Sequence, residues 1–148
     1  MKAKPTIITG TVGVDAHVIG TKIVSRALRD AGYAVVELGA QTPPEEFIKV
    51  AQETDADAML MSSLYGMAEM DLQGFKEKCI EAGLEEVLLY IGGILGVSRH
   101  NFQDDEKRFK EMGFDRVYPP ESDIQLAIQD LRGDLMSKRK FANLVMES

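Results

Sequence analysis

Of the two histidines in the chain, His17 follows Asp15 by two positions inside Gly13-Val14-Asp15-Ala16-His17-Val18-Ile19-Gly20. A neutral imidazole is a good transition-metal ligand, and its second nitrogen normally donates to a carboxylate that fixes the ring and raises its basicity. Asp15 is close enough in sequence to take that part, and it can also cap the helix that follows. One histidine does not hold a free ion well, since zinc sites need three or four protein ligands. A lone Asp-His pair suits a metal that arrives already ringed by a macrocycle and lacks an axial ligand. The segment fits neither common phosphate cradle: a dinucleotide fold shows three closely spaced glycines, and a P-loop shows Gly-Lys-Ser/Thr.

Two further segments carry chemistry. Ser62-Ser63-Leu64-Tyr65-Gly66 offers hydroxyls that can hydrogen-bond a ligand while leaving room beside it. Gly92-Gly93-Ile94-Leu95-Gly96 lets a bulky group come close to the backbone. Cys79 is the only cysteine, which excludes a disulfide framework or a cysteine metal cluster within the chain. It falls on an apolar helical stretch and is expected in the core. His100 sits in a polar stretch with no partner in view, and the eight methionines read as core filler.

These segments need elements to position them, and apolar periodicity supplies an alternation of strands and helices. Strands are expected at Thr6 to Thr11, Tyr33 to Leu38, Ala58 to Ser62, Val87 to Ile91 and Arg116 to Tyr118. Between them come helices. Ile23, Val24, Ala27, Leu28 and Ala31 recur at helical spacing from about Thr21 to the stop at Gly32. Pro43-Pro44-Glu45-Glu46 opens the next, with proline and acids both suited to a first turn. Leu72, Phe75, Cys79 and Ile80 form one face of a helix ending near Gly83. Phe102, Glu106, Phe109 and Met112 follow another down to Gly113. Ile124, Ala127, Ile128, Leu131 and Leu135 mark the last. Strands separated by helices make a parallel sheet. The predicted fold is α/β, a flavodoxin-like doubly wound five-stranded parallel sheet in a three-layer α/β/α sandwich. Ligands of such sheets bind beyond the carboxyl ends of the strands, at the switch point, where all three segments fall.

Taken together, Asp15, His17 and Gly20, then Ser62-Ser63-Leu64, then Gly92-Gly93 resemble the ordered pattern of the cobalamin-binding domain family. The segments Ser62 to Gly66, Glu77 to Leu84 and Gly113 to Pro120 look like the small subunits of glutamate mutases in particular, and the likeness runs to about Leu131. The resemblance implies adenosylcobalamin bound base-off, with His17 as the lower axial ligand of cobalt. It implies cofactor contacts from Val14, Asp15, Ala16, His17, Val18 and Gly20 and from Ser62, Ser63 and Leu64. It extends them to Gly92, Gly93, Ile94, Leu95, Gly96, Val97 and Ser98. The family commonly has a polar residue and a later Gly-Lys after the paired glycines. Here the chain reads Ile94 to Arg99, which leaves backbone contacts to the nucleotide tail.

The implied activity is the interconversion of L-glutamate and threo-3-methylaspartate by radical rearrangement, with the cofactor carrying the chemistry. The small subunit has no substrate site of its own and docks on a larger barrel-type subunit, giving a heterotetramer that is inactive when divided. Residues 1–137 are expected to form the cobalamin-binding domain, with 138–148 a basic C-terminal tail. The alternatives are the corrinoid subunit of another mutase, a methyl-carrier corrinoid protein, or a non-enzymatic flavodoxin-like module such as a signalling receiver. A methyl carrier usually places a helical cap domain first, whereas the first strand here is expected at about Thr6. A receiver needs a phosphoacceptor Asp at a strand end, and Ser62-Ser63-Leu64 supplies none.

A formal net charge of −7, from 24 acidic and 17 basic side chains, repels phosphate backbones and anionic lipids. Neither nucleic acid nor a membrane is expected as a partner. The start MKAKPTIITG lacks the apolar stretch of a signal peptide. The longest nearly apolar run, Val87 to Val97, falls short of the ~20 residues a spanning helix needs. A cytoplasmic location is expected.

Overall fold

The computed structural model describes residues 4–12, 19–39, 41–63, 68–93, 102–119 and 122–147; for 19–21 and 139–147 it describes the backbone alone. In chain order the elements are β1 (Thr6–Thr11), α1 (Ile19–Asp30), β2 (Ala34–Glu37), α2 (Pro44–Thr54), β3 (Ala58–Ser63) and α3 (Ala68–Asp71). They continue with α4 (Phe75–Glu81), β4 (Leu88–Gly93), α5 (Phe102–Glu111), β5 (Arg116–Tyr118) and α6 (Ile124–Glu147). The strands pair in parallel in the order β2-β1-β3-β4-β5. That is the flavodoxin-like winding expected from the sequence, and it reverses direction between β1 and β3.

Successive strand residues point to opposite faces, and this splits the apolar core in two. Ile8, Met59, Met61, Leu89 and Ile91 join Phe47 and Ala51 of α2, Phe75 and Cys79 of α4, and Phe109 of α5. Ile7, Ala58, Leu60 and Tyr90 join Leu28 of α1 and Ile128, Leu131 and Leu135 of α6. The sheet is therefore buried on both faces, which is why its central strands read as continuous apolar runs rather than as alternation.

Several expectations shift in detail. The helix expected through Leu72 is divided into α3 and α4, because Gly74 takes a left-handed conformation at φ 74°. Ile80 and Ile23, expected on buried faces, are 47% and 57% exposed. Each neighbours an apolar stripe about 100° around its helix: Ile80 follows the buried Cys79, and Ile23 precedes the half-buried Val24. Met70 and Met136 are exposed too, so those two are not core filler. Cys79 is fully buried, as expected, and burial pushes its thiol up to about 11. His100 lies outside the described residues.

Candidate functional site

The carboxyl ends of the strands bring one row of residues together. Thr11 of β1 pairs with Ser62 of β3, Ser62 with Gly92 of β4, and Gly92 with Tyr118 of β5. By strand alternation the row faces the α1 and α6 side, the side of Ile7, Leu60 and Tyr90. Thr11 is fully buried, while Ser62 and Tyr118 are half-buried. Two hydroxyls, a gap with no side chain, and an aromatic ring thus line up across four strands at the switch point. One turn deeper, Thr9 and Ser25 join β1 to α1 through a buried hydroxyl pair at 2.8 Å.

The next row faces the other way and is closed. Ser63 pairs with Gly93, and a Cβ on Gly93 would lie 2.2 Å from the Ser63 carbonyl oxygen. Gly93 also has φ +105°, a conformation other residues rarely adopt. Only glycine fits there. Gly92 differs: an added Cβ would meet the Tyr118 Cβ and carbonyl oxygen at 3.4 and 3.5 Å, which is ordinary contact. The Ser63 hydroxyl is fully buried and finds no hydrogen-bond partner among the described residues. Such an orphan is expensive unless something else satisfies it.

Behind Tyr118 stands a polar network that the sequence reading missed. Its hydroxyl donates to Asp130 Oδ2 at 2.7 Å. Arg116 grips Asp134 with Nε at 2.8 Å and Nη2 at 3.1 Å, and lies 3.7 Å from Asp130. Tyr90 donates to Asp134 as well, and its ring lies 5.9 Å from that of Tyr118. The Arg116 guanidinium holds the Asp134 carboxyl below the usual carboxylate range, against its partial burial. Burial first, and then the facing carboxylates, push both tyrosines well above the usual phenol range, so they remain neutral donors. A signal was there to find. Asp130 and Asp134 stand four residues apart on one helical face, and Arg116 and Tyr118 share one face of β5.

Of the residues expected in the site, Gly20, Ser62, Ser63, Gly92 and Gly93 are described, Gly20 in the first turn of α1. Both Ser62-Ser63 and Gly92-Gly93 are the last paired residues of their strands rather than loop residues. Val14, Asp15, Ala16, His17, Val18, Leu64, Ile94, Leu95, Gly96, Val97 and Ser98 lie outside the described residues. Among the described residues no three His, Cys, Asp or Glu side chains could share a metal ion. No described helix is long and apolar enough to cross a membrane.

Residues 5–118 match the family model of the B12 binding domain. The chain is 51% identical over 132 residues to the glutamate mutase sigma subunit of Clostridium cochlearium, covering 89% of this chain and 96% of that one. The chain belongs to the B12-binding domain family, among the glutamate mutase sigma subunits. A second member of that sigma-subunit family, from Carboxydothermus hydrogenoformans, is 52% identical over 129 residues, covering 87% of this chain and 94% of its own. The B12-binding fold extends to more distant chains. The 1.5 Å crystal structure of a cobalamin-binding protein from Desulfitobacterium hafniense superposes with a TM-score of 0.72 at 19% identity, over 89% of this chain and 60% of that one. At that identity the likeness is one of fold.

Proposed function

We propose that this chain is the cobalamin-binding subunit of a glutamate mutase, interconverting L-glutamate and threo-3-methylaspartate together with a larger barrel-type subunit in a heterotetramer. What carries this is the 51% identity to a glutamate mutase sigma subunit along 96% of its length. The described part of the site fits a corrinoid with a displaced nucleotide arm. Ser62 offers a half-buried hydroxyl on the α1 and α6 side of the sheet. Gly92 leaves a gap between Ser62 and Tyr118 that any larger residue would fill. When bound, adenosylcobalamin supplies the radical that moves hydrogen to and from the substrate.

The chain's own residues bind and orient. His17 would hold the cobalt through one ring nitrogen, and Asp15 would accept from the other and keep the ring basic. Val14, Ala16, Val18 and Gly20, then Ser62, Ser63 and Leu64, then Gly92, Gly93, Ile94, Leu95, Gly96, Val97 and Ser98 would contact the cofactor, the last group through backbone. Residues 1–137 make up the binding domain, with 138–148 a C-terminal tail; among the described side chains of α6 the buried ones run from Ala127 to Leu135. The protein works in the cytoplasm and shows no turnover alone.

A visible absorption titration with adenosylcobalamin tests this. The wild-type chain should convert the cofactor to a base-off, histidine-ligated spectrum, and mutase turnover should appear once the larger subunit is added. His17→Gly should abolish turnover and weaken binding by at least about tenfold, the worth of a good ligand contact. Unchanged affinity and turnover in that variant would remove His17 from the site.

A further inference from the structure

We propose that the buried hydroxyl pair of Thr9 and Ser25 is a registration pin: it fixes how α1 stands on β1 and so positions His17, which the chain between them carries. This rests on the cobalamin reading and goes past it, to two residues buried between strand and helix.

Strand β1 ends at Thr11 and α1 begins at Ile19, and the stretch joining them contains Asp15 and His17. Its first end is held by the backbone. The Thr11 N–H donates to the Gly39 carbonyl and the Val12 N–H to the Ser62 carbonyl, both at 2.8 Å. Its second end is α1, which meets the sheet with Leu28 and the half-buried Val24, Ala27 and Ala31. Apolar contact of that kind is non-directional, so it holds a helix down without setting its height or its roll. The turn at Gly32 ties the carboxyl end of α1 to β2. Arg29 also reaches Glu37 at 3.6 Å, but its side chain is 51% exposed, which makes a loose tether. The Thr9–Ser25 bond acts on the other half, the half that leads back to His17. Thr9 and Ser25 are 1% and 0% exposed, and their oxygens lie 2.8 Å apart. Moving α1 off this register breaks a directional bond and leaves buried hydroxyls unsatisfied.

Where packing alone is wanted, such a pair is a poor choice. Serine is an indifferent helix former, and apolar residues of the same shape would serve as well or better. A satisfied polar pair in a core selects one arrangement over its neighbours. The distances at stake are small. A shift of α1 by one residue's rise, about 1.5 Å, is several times the ~0.2 Å tolerance of a metal–ligand bond. Thr9 and Ser25 are therefore positioning residues, acting on His17 through α1.

The test is a visible absorption titration of the full chain with adenosylcobalamin, beside a urea melt of each variant. Thr9→Val with Ser25→Ala removes both hydroxyls and nearly keeps their shape, so the urea midpoint should stay at or above that of wild type. Affinity should still fall about fivefold, the worth of one net hydrogen bond in the population of the competent register. At saturation this variant should give a mixture of histidine-ligated and water-ligated base-off spectra, where wild type gives the histidine-ligated form alone. Thr9→Ser should behave in the opposite way. It loses a buried methyl and lowers the midpoint, but keeps the hydroxyl, the affinity and the spectrum. Affinity losses that simply track the midpoint would make the pair plain packing and overturn the proposal, as would a double variant that binds like wild type. Should the double variant not fold, Ser25→Ala alone decides, and normal affinity with a normal spectrum would overturn it there too. A wild-type chain that never yields the histidine-ligated spectrum would instead overturn the cobalamin reading itself.

Discussion

At the scale of single residues, two adjacent glycines do different jobs, and they can be separated. Gly93 is required by the fold, because its φ of +105° and the Ser63 carbonyl at 2.2 Å both reject a side chain. Gly93→Ala should destabilise the chain by about 2 kcal/mol or more, read from the urea midpoint. Gly92 has room for a Cβ at ordinary contact distances, so Gly92→Ala should keep stability within about 1 kcal/mol of wild type. The added methyl would stand against Tyr118, and on the proposed cobalamin reading affinity for adenosylcobalamin should fall by about tenfold through overpacking. A stable Gly93→Ala, or a Gly92→Ala with normal affinity, would reverse the division of labour. The sequence marked the pair as a place of close approach but not which glycine serves which end. That depends on the register with Ser62 and Ser63 and on one positive φ, and neither is written in residue type.

At the scale of elements, periodicity carried most of the fold. Strands β1 and β5 fall where the apolar runs put them, and the winding follows from the alternation of strand and helix. β4 runs two residues beyond the expected Ile91, through Gly92 and Gly93, because pairing with β3 overrides the weak strand propensity of glycine. The junction of β5 with α6 was the least legible part, since it is built from side chains distant in sequence, with Tyr90, Arg116 and Tyr118 on strands and Asp130 and Asp134 on a helix. Its charges give it a pH dependence. Asp134 has a folded-state pKa below its unfolded one, so its contribution is whole above pH about 4 and is lost as pH falls through the lower folded value. Asp134→Asn should flatten the acid limb of a plot of stability against pH. It should cost about 1 kcal/mol at neutral pH, a modest value because the Arg116 side chain is 41% exposed. An acid limb identical to wild type would mean that the ion pair does not contribute to stability.

At the scale of the whole molecule, the two apolar cores share one sheet, and this ties the site to global stability. Ile7 and Ile8, Leu60 and Met61, Tyr90 and Ile91 are sequence neighbours that serve opposite faces. Neither layer of helices can leave without uncovering the strands that hold the other layer's core. Unfolding should be a single transition, with backbone circular dichroism and tyrosine fluorescence coinciding. Tyr90 and Tyr118 make fluorescence a reporter of the α6 side in particular. On the proposed reading, a ligand held at the ends of β1, β3 and β4 would stabilise the entire chain by mass action. At about one hundred times its dissociation constant, adenosylcobalamin should add about 2.7 kcal/mol. For a chain of 148 residues that raises Tm by about 5–10 °C. Both probes should move together, because the ligated strand ends belong to the sheet that both cores share. A shift seen by fluorescence and not by circular dichroism would show that the α6 layer melts separately, and would confine the ligand's influence to one face.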